Sequence, residues 1–370
     1  KKQALLYGLV YILFSFIISR LPLFNYLGYE FSTAVAFLVP LIAGSVTFFI
    51  LEKSSPSTHK EFLSNTWKAV QTNILFLFIP FAVITVNLLF VKNCSYPEGF
   101  LFYLLIPVVT AFFSTALAGF CWSVFRNFRF MYGVILIAIL AHAVYLGFAT
   151  PQVYSYNFLY GYFPGFTYDE VLTITFTLID FRCTTIVAGV LLLLLGADLV
   201  RFRHSKESFK NNLVEFLVPE RISPMIGWII LSALLLSVWW VDRQNFGFET
   251  SGPFIQKTLS KQYSTEHFRI HCAPDSFTDE EMQWVSAEHE FRFQQVTTAL
   301  QINFSDTIDS YIYPDPETKR KFTGAGNTNI AKPWREEIHL NKDSWQTTVK
   351  HELVHVLAGK RSEGHTSELQ

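Results

Sequence analysis

Charge is scarce in this chain. Asp, Glu, Lys and Arg supply 16 % of its 370 residues, where a soluble domain carries about 25 %. Neither sign dominates: 29 basic residues against 30 acidic ones leave a formal net charge of −1. That balance excludes the basic footprint of a nucleic-acid binder. Cysteine is sparse as well. Cys94, Cys121, Cys183 and Cys272 stand far apart without a CxxC spacing, so neither a disulfide framework nor a zinc finger is indicated. No internal repeat is visible, which argues against an inverted-repeat transporter. What is abundant is apolar content: 51 % hydrophobic residues, 17 % aromatic, and a mean hydropathy of +0.29. A disordered chain is thereby excluded, and the composition points to a membrane protein with a soluble part attached.

Apolar runs of about 17–25 residues are long enough to span a bilayer. Seven such runs stand out, at 4–19, 31–51, 74–91, 100–125, 130–150, 183–200 and 225–241. Trp228, Trp239 and Trp240 bracket the last one as interfacial anchors. The fourth is long enough to tilt. The stretch 173–182 either begins the sixth helix or forms an interfacial or re-entrant piece. Loop charge then orients the array. Lys1, Lys2, Lys53, Lys60, Lys68, Arg126, Arg129, Arg201, Arg203, Lys206, Lys210 and Arg221 all fall on one side, against only Arg20 and Lys92 on the other. The N-terminus is therefore expected in the cytoplasm. An odd number of spans carries everything after Val241 outside it. Ionisable or polar residues within spans are functional candidates by default. Here they are His142, Asn87, Asp180 and Arg182; Asp180 and Arg182 are expected at the interface.

Charge rises after Val241. Residues 242–262 read as a linker, and from Tyr263 the pattern is that of a mixed α and β domain. His267–His271 alternates like a short strand. Thr278 and Glu281 form a capping box that opens a helix to about Leu300. Ile308–Tyr313 reads as a second strand, 323–329 as a turn-rich loop, and Glu337–Leu340 as a further strand. Ser344 then caps a last helix to Ala358, with Gly359 in the position that follows a helix C-terminus.

That helix carries His351-Glu352-Leu353-Val354-His355, the HExxH pattern. Residues four apart share one helix face, so both imidazoles can reach one zinc ion. Glu352 beside them is placed as general base for a water that the metal activates towards a peptide carbonyl. Histidine is 10 of 370 residues, so a chance match anywhere in the chain has a probability of roughly 2 %. A metzincin would have Gly and His where this chain has Ala358 and Arg361. An intramembrane protease would carry the motif inside an apolar span, whereas Lys350 precedes it here.

With the motif helix preceded by HFRIH, a long helix, YIYP, a Gly-rich turn and EIHLN, residues 263–359 resemble the peptidase-MA-like domain of the gluzincin metallopeptidases. The resemblance implies an α+β zincin-like fold after a polytopic helical membrane region of about seven spans. It carries His351 and His355 over as zinc ligands and Glu352 as general base. It also implies a third ligand, a Glu on the next helix. None is found in this chain, since Glu363 and Glu368 lie too close to His355. With two ligands of three, this stretch alone is expected to be inactive. Related aminopeptidases carry a Glu for the substrate's amino terminus in the segment that corresponds to Gly324–Asn327. None stands here, which favours an endopeptidase. Backbone pairing of an extended substrate makes Asn327, Asn329, Ile330 and Ala331 the candidate substrate-binding residues. His267, His271, His289 and His339 are expected as surface residues rather than ligands, and Cys94 and Cys272 as a pair that could meet outside the membrane.

Both ends read as artificial. Residue 1 is Lys rather than Met, and 361–370 resembles a translated sequencing-library adapter, so that tail is set aside. The expected organisation is a membrane domain over 1–241, a linker over 242–262 and a partial peptidase domain over 263–360. The expected function is zinc-dependent hydrolysis of peptide or protein substrates outside the cytoplasm, by an integral protein of a bacterial cytoplasmic membrane. The alternative is a non-catalytic transporter, sensor or scaffold that carries a peptidase-like binding domain.

Overall fold

The computed structural model describes residues 2–165, 167, 170–203 and 225–367, with the backbone alone at 201, 202 and 360–367. They form two compact units. One comprises Lys1–Ala141, Asn157–Tyr162 and Leu172–Asp242; the other comprises His142–Tyr156, Phe163–Val171 and Arg243–Gln370.

The first unit is helical. Its helices are α1 (Lys2–Ile18), α2 (Tyr29–Ser54), α3 (His59–Val86), α4 (Tyr96–Tyr103), α5 (Val109–Val124), most of α6 (Phe128–Ala149), α7 (Phe176–Arg203) and α8 (Ile226–Val241). Among the described residues, five stretches are long and apolar enough to cross a membrane: Tyr29–Ser54, His59–Leu89, Tyr96–Val124, Phe128–Ala149 and Phe176–Val200. α1 and α8 are apolar but only 17 and 16 residues long. At 1.5 Å per residue each reaches about 25 Å, short of a hydrocarbon core of about 30 Å.

Each apolar run of the sequence coincides with a helix, but the limits differ. α3 starts well before residue 74, because Thr58 caps it by accepting from the Glu61 N–H at 3.3 Å. The stretch 173–182 enters α7 at Phe176. The long fourth run is not one regular helix, since a π-turn at Leu104–Val108 joins α4 to α5. Pro107 lies in that turn and has no N–H to give the ladder. Two neighbouring carbonyls are taken up by Arg182, whose Nε donates to Leu105 O at 2.6 Å and Nη2 to Ile106 O at 2.9 Å. The same guanidinium reaches Phe158 O and Thr110 Oγ1. Arg182 is therefore fully buried in the helical unit. The irregular backbone needs its donors. Asn87 is also buried and donates to Asn25 O at 2.7 Å, whereas His142 is exposed. Lys1, Lys206, Lys210 and Arg221, counted above for orientation, lie outside the described residues, as do residues 368–370 of the tail.

Residues Ser155–Asn157 (β1) and Gly161–Phe163 (β2) form a two-stranded sheet. The second unit is built on a five-stranded sheet of β3 (Lys261–Ser264), β4 (Phe268–Cys272), β5 (Ile308–Tyr313), β6 (Ile330–Lys332) and β7 (Glu337–Asn341), in the order β3-β4-β5-β7-β6. β4, β5 and β7 run parallel, and the two edge strands run antiparallel to their neighbours. α10 (Asp279–Leu300) links β4 to β5, and α12 (Trp345–Ser367) follows β7. Both pack on one face of the sheet. Phe268, Ile270, Ile308, Ile312, Ile338 and Leu340 meet Val285, Phe293, Val349, Leu353 and Val356 there. The capping box read from Thr278 and Glu281 is present at the start of α10.

The opposite face is covered by α9 (Gly252–Thr258) and α11 (Pro316–Thr323), through Ile255, Leu259 and Phe322 on Tyr311 and Tyr313. The stretch 242–262 is thus more than a linker, since it contains α9 and the start of β3. α11 is hidden in sequence by Pro314, which precedes it, and Pro316, which opens it. Pro316 sits in its first turn, where the missing N–H costs nothing, and Asp315 caps it by accepting from the Thr318 N–H at 2.7 Å.

Three histidines expected at the surface are buried. His271 and His339 lie on the face covered by α9 and α11, stacked on either side of Tyr311 at 4.8 and 5.0 Å between ring centres. The β4–β5–β7 register places all three side by side. His289 lies on the inner side of α10, between Val285 O and Ser310 Oγ. Burial pushes its pKa down to about 4, so it is a neutral core residue. All four cysteines are free, and Cys272 is buried in the sheet.

Candidate metal centre

α12 is two-sided. Val349, Leu353, Val356 and Leu357 are wholly buried against the sheet, while His351 and His355 point outward. The two Nε2 atoms lie 3.1 Å apart, and the rings stand at 85°. Two nitrogens on adjacent corners of a tetrahedral zinc site, each about 2.0–2.1 Å from the ion, are about 3.3 Å apart. Their spacing, which is also that of a hydrogen bond between the two rings, is within a few tenths of an ångström of that separation. Among the described residues, no group of three or more His, Cys, Asp or Glu side chains is placed to hold a metal ion. Glu352 is turned inward from the pair and is only 5 % exposed. Burial pushes its carboxyl above the ordinary range, against the opposing pull of His351 and Lys319. Partial burial holds His355 below its ordinary value, with His351 acting in the same direction.

The loop that precedes β6 is built around two buried charged groups, Lys319 and Glu170. Lys319 of α11 is fully buried, and its Nζ donates to Thr328 O at 2.5 Å and Asn329 Oδ1 at 3.2 Å. Burial pushes this lysine down to about 8, with Glu170, Glu352 and Asp343 opposing. Glu170 accepts from three successive backbone N–H groups, those of Gly326, Asn327 and Thr328, at 3.0, 2.9 and 2.9 Å. This is an anion nest filled from within the chain. Burial works against the Glu170 charge, but these N–H donors outweigh it and hold the carboxyl below its ordinary range. Gly324 makes the loop possible. Its φ is +93°, and a Cβ there would fall 2.3 Å from the Tyr154 ring.

The four candidate substrate residues occupy this loop and the edge strand. Asn327 is exposed and gives its N–H to Glu170. The Asn329 side chain is committed to structure. It donates to Ser344 Oγ at 3.0 Å and Thr348 Oγ1 at 2.9 Å, and it accepts from the Asn341 N–H. It thereby ties β6 to α12 one turn before the motif. Ile330 and Ala331 are half-buried in β6, at the edge of the sheet.

A second set of contacts fastens β6 and the 3₁₀ turn after it (Pro333–Arg335) to the last turn of α6. Gly147 O has no partner within its helix, because the residue four places on is Pro151. Lys332 Nζ donates to that oxygen at 3.0 Å, to Thr150 O at 2.8 Å and to Gln152 O. The Trp334 indole N–H donates to Phe148 O at 3.0 Å, and Arg335 donates to Ala149 O. Two cations thus meet the negative end of a helix. Burial pushes Lys332 down to about 7.

α12 does not stop at Ala358. It runs through Gly359 to Ser367. Gly359 serves packing rather than termination, since a Cβ there would lie 2.7 Å from Pro333 Cβ. The sequence did carry a hint of Lys319, which has the spacing of Phe322 and Thr323 on the inner face of α11. Glu170 and Lys332 left no such signal, because their partners lie more than 150 residues away in sequence. No family model, no curated protein and no solved structure matches this chain.

Proposed function

We propose that this chain belongs to a membrane-anchored zinc metallopeptidase that hydrolyses peptide bonds outside the cytoplasm. The observation that carries the reading is the His351–His355 pair, outward on a rigid helix with its Nε2 atoms 3.1 Å apart. His351 and His355 would hold zinc, and a carboxylate from a following helix would be the third ligand. Bound zinc would supply a Lewis acid and an activated water. The chain's own contribution is Glu352, one residue from His351. Its carboxyl is raised by burial, which suits a group that takes a proton and returns it to the leaving amine. β6, tied to α12 by Asn329, offers an antiparallel sheet edge beside the motif.

Parity supports the membrane part of the reading. Lys332, Trp334 and Arg335 bind the end of α6, so that end and the sheet lie on one side of any bilayer. α7 and α8 lie between them in sequence. α7 is long and apolar enough to cross, and in this reading α8, an apolar helix of 16 residues, crosses back. This agrees with seven spans and with a sheet-bearing unit outside the cytoplasm. One observation favours a second reading, a binding or sensing domain without turnover: only two metal donors converge among the described residues. The deciding experiment is Glu352→Gln in the full-length protein. Peptide cleavage should fall by at least about 100-fold with zinc retained, and unchanged cleavage would refute the assigned base.

A further inference from the structure

The turn that grips α6 is also the turn on which the motif helix rests. Gly359 lies against Pro333, and His355 is one helical turn away, about 6 Å along the axis. Next to Pro333, Trp334 is 40 % exposed and packs its ring on Phe148 at 4.9 Å. Phe148 and Tyr145, on the last turns of α6, are 53 % and 64 % exposed. This aromatic patch continues the apolar face of a helix long enough to cross a bilayer, at the point where that helix ends. Its indole N–H is already bonded, to Phe148 O. That is the composition of a side chain seated among lipid headgroups.

We infer that Trp334 seats the sheet-bearing unit on the bilayer surface. The site would then act on polypeptide close to where it enters or leaves the membrane, rather than on free peptides. The inference rests on the metallopeptidase reading for its substrate class, but not for the lipid contact. The motif lies about 6 Å along the helix from that turn, and an extended chain rises about 3.3 Å per residue, so cleavage should fall within the first few residues of a membrane anchor.

The test uses the full-length, zinc-loaded protein in phosphatidylcholine–phosphatidylglycerol vesicles. An unstructured 40-residue polypeptide of mixed composition is supplied either free or attached to a lipid at one end, and the cuts are mapped by mass spectrometry. The expected result is cleavage of the anchored form at least tenfold faster, clustered within the first few residues of the anchor, and spread along the chain in Trp334→Ala. Cuts spread evenly in the parent protein, or equal rates on the free form, would overturn the inference. A second measurement needs no activity: quenching of tryptophan emission by brominated lipids in the parent and in Trp334→Phe. The quenched fraction should drop in the variant, and an unchanged fraction would overturn the lipid seat. Absence of cleavage from both forms, with the quenching difference present, would overturn the peptidase reading and the substrate class while upholding the lipid contact.

Discussion

Glu337 gives the sheet-bearing unit a defined acid sensitivity. Its carboxylate is 5 % exposed and makes a two-pronged pair with Arg335, Nε to Oε2 at 2.9 Å and Nη2 to Oε1 at 2.7 Å. His339 Nε2 lies 3.7 Å from Oε2. Burial alone would raise the Glu337 pKa, but His339 and Arg335 outweigh it and bring it down to about 2. An unfolded glutamate titrates near 4.3. Between those values the unfolded chain binds more protons, so stability rises with pH across the window and is lost as pH falls through it. A shift of a little over two units, at about 1.4 kcal/mol each, is about 3 kcal/mol at neutral pH. Glu337→Gln should therefore cost about 3 kcal/mol at pH 7, with the gap to the parent closing towards pH 2. Urea unfolding of the full protein in detergent micelles, followed by hydrogen exchange in peptides over 308–341, reads this unit directly. A gap that stays constant from pH 7 to pH 2, or no gap at pH 7, would show that Glu337 is not the source of the acid sensitivity.

Two further substitutions probe the turn that joins α6 to the motif helix. Lys332→Glu sets a carboxylate against three carbonyls that had a cation, at a cost of about 3–5 kcal/mol. Hydrogen exchange over 145–152 and 328–336 should rise at least about 100-fold, and unchanged protection would show that the clamp carries no energy. Gly359→Val gains a few tenths of a kcal/mol in helix propensity. It forces a side chain into a place where even a Cβ lies 2.7 Å from Pro333, and overpacking costs about 1–3 kcal/mol. The melting temperature should fall, and a rise would mean that α12 does not rest on that turn.

The sequence made the elements with strong local signals legible. The apolar runs of the helical unit, the capping box at Thr278 and the alternation at β4 and β5 all depend on neighbours within a few residues. The candidate site was legible only as its motif, because i, i+4 spacing on a helix is a local property. What surrounds the motif was not. Glu170 in its nest of N–H groups, and Lys332 on the α6 carbonyls, depend on contacts across more than 150 residues. Asn329 was named for backbone pairing at a strand edge, and nothing local in the sequence signals that its side chain ties β6 to α12. Gly359 was read as a helix end from its type, whereas its role follows from the approach of Pro333.

In the proposed function His351 and His355 form a zinc site. The most direct test is zinc binding by the full-length protein, with metal content by mass spectrometry and X-ray absorption at the zinc edge. The account expects one zinc per chain with imidazole nitrogens at about 2.0–2.1 Å, lost in His351→Ala and in His355→Ala and retained in Glu352→Gln. A protein that binds no zinc, or one that holds it equally well without His351, would rule out the zinc site.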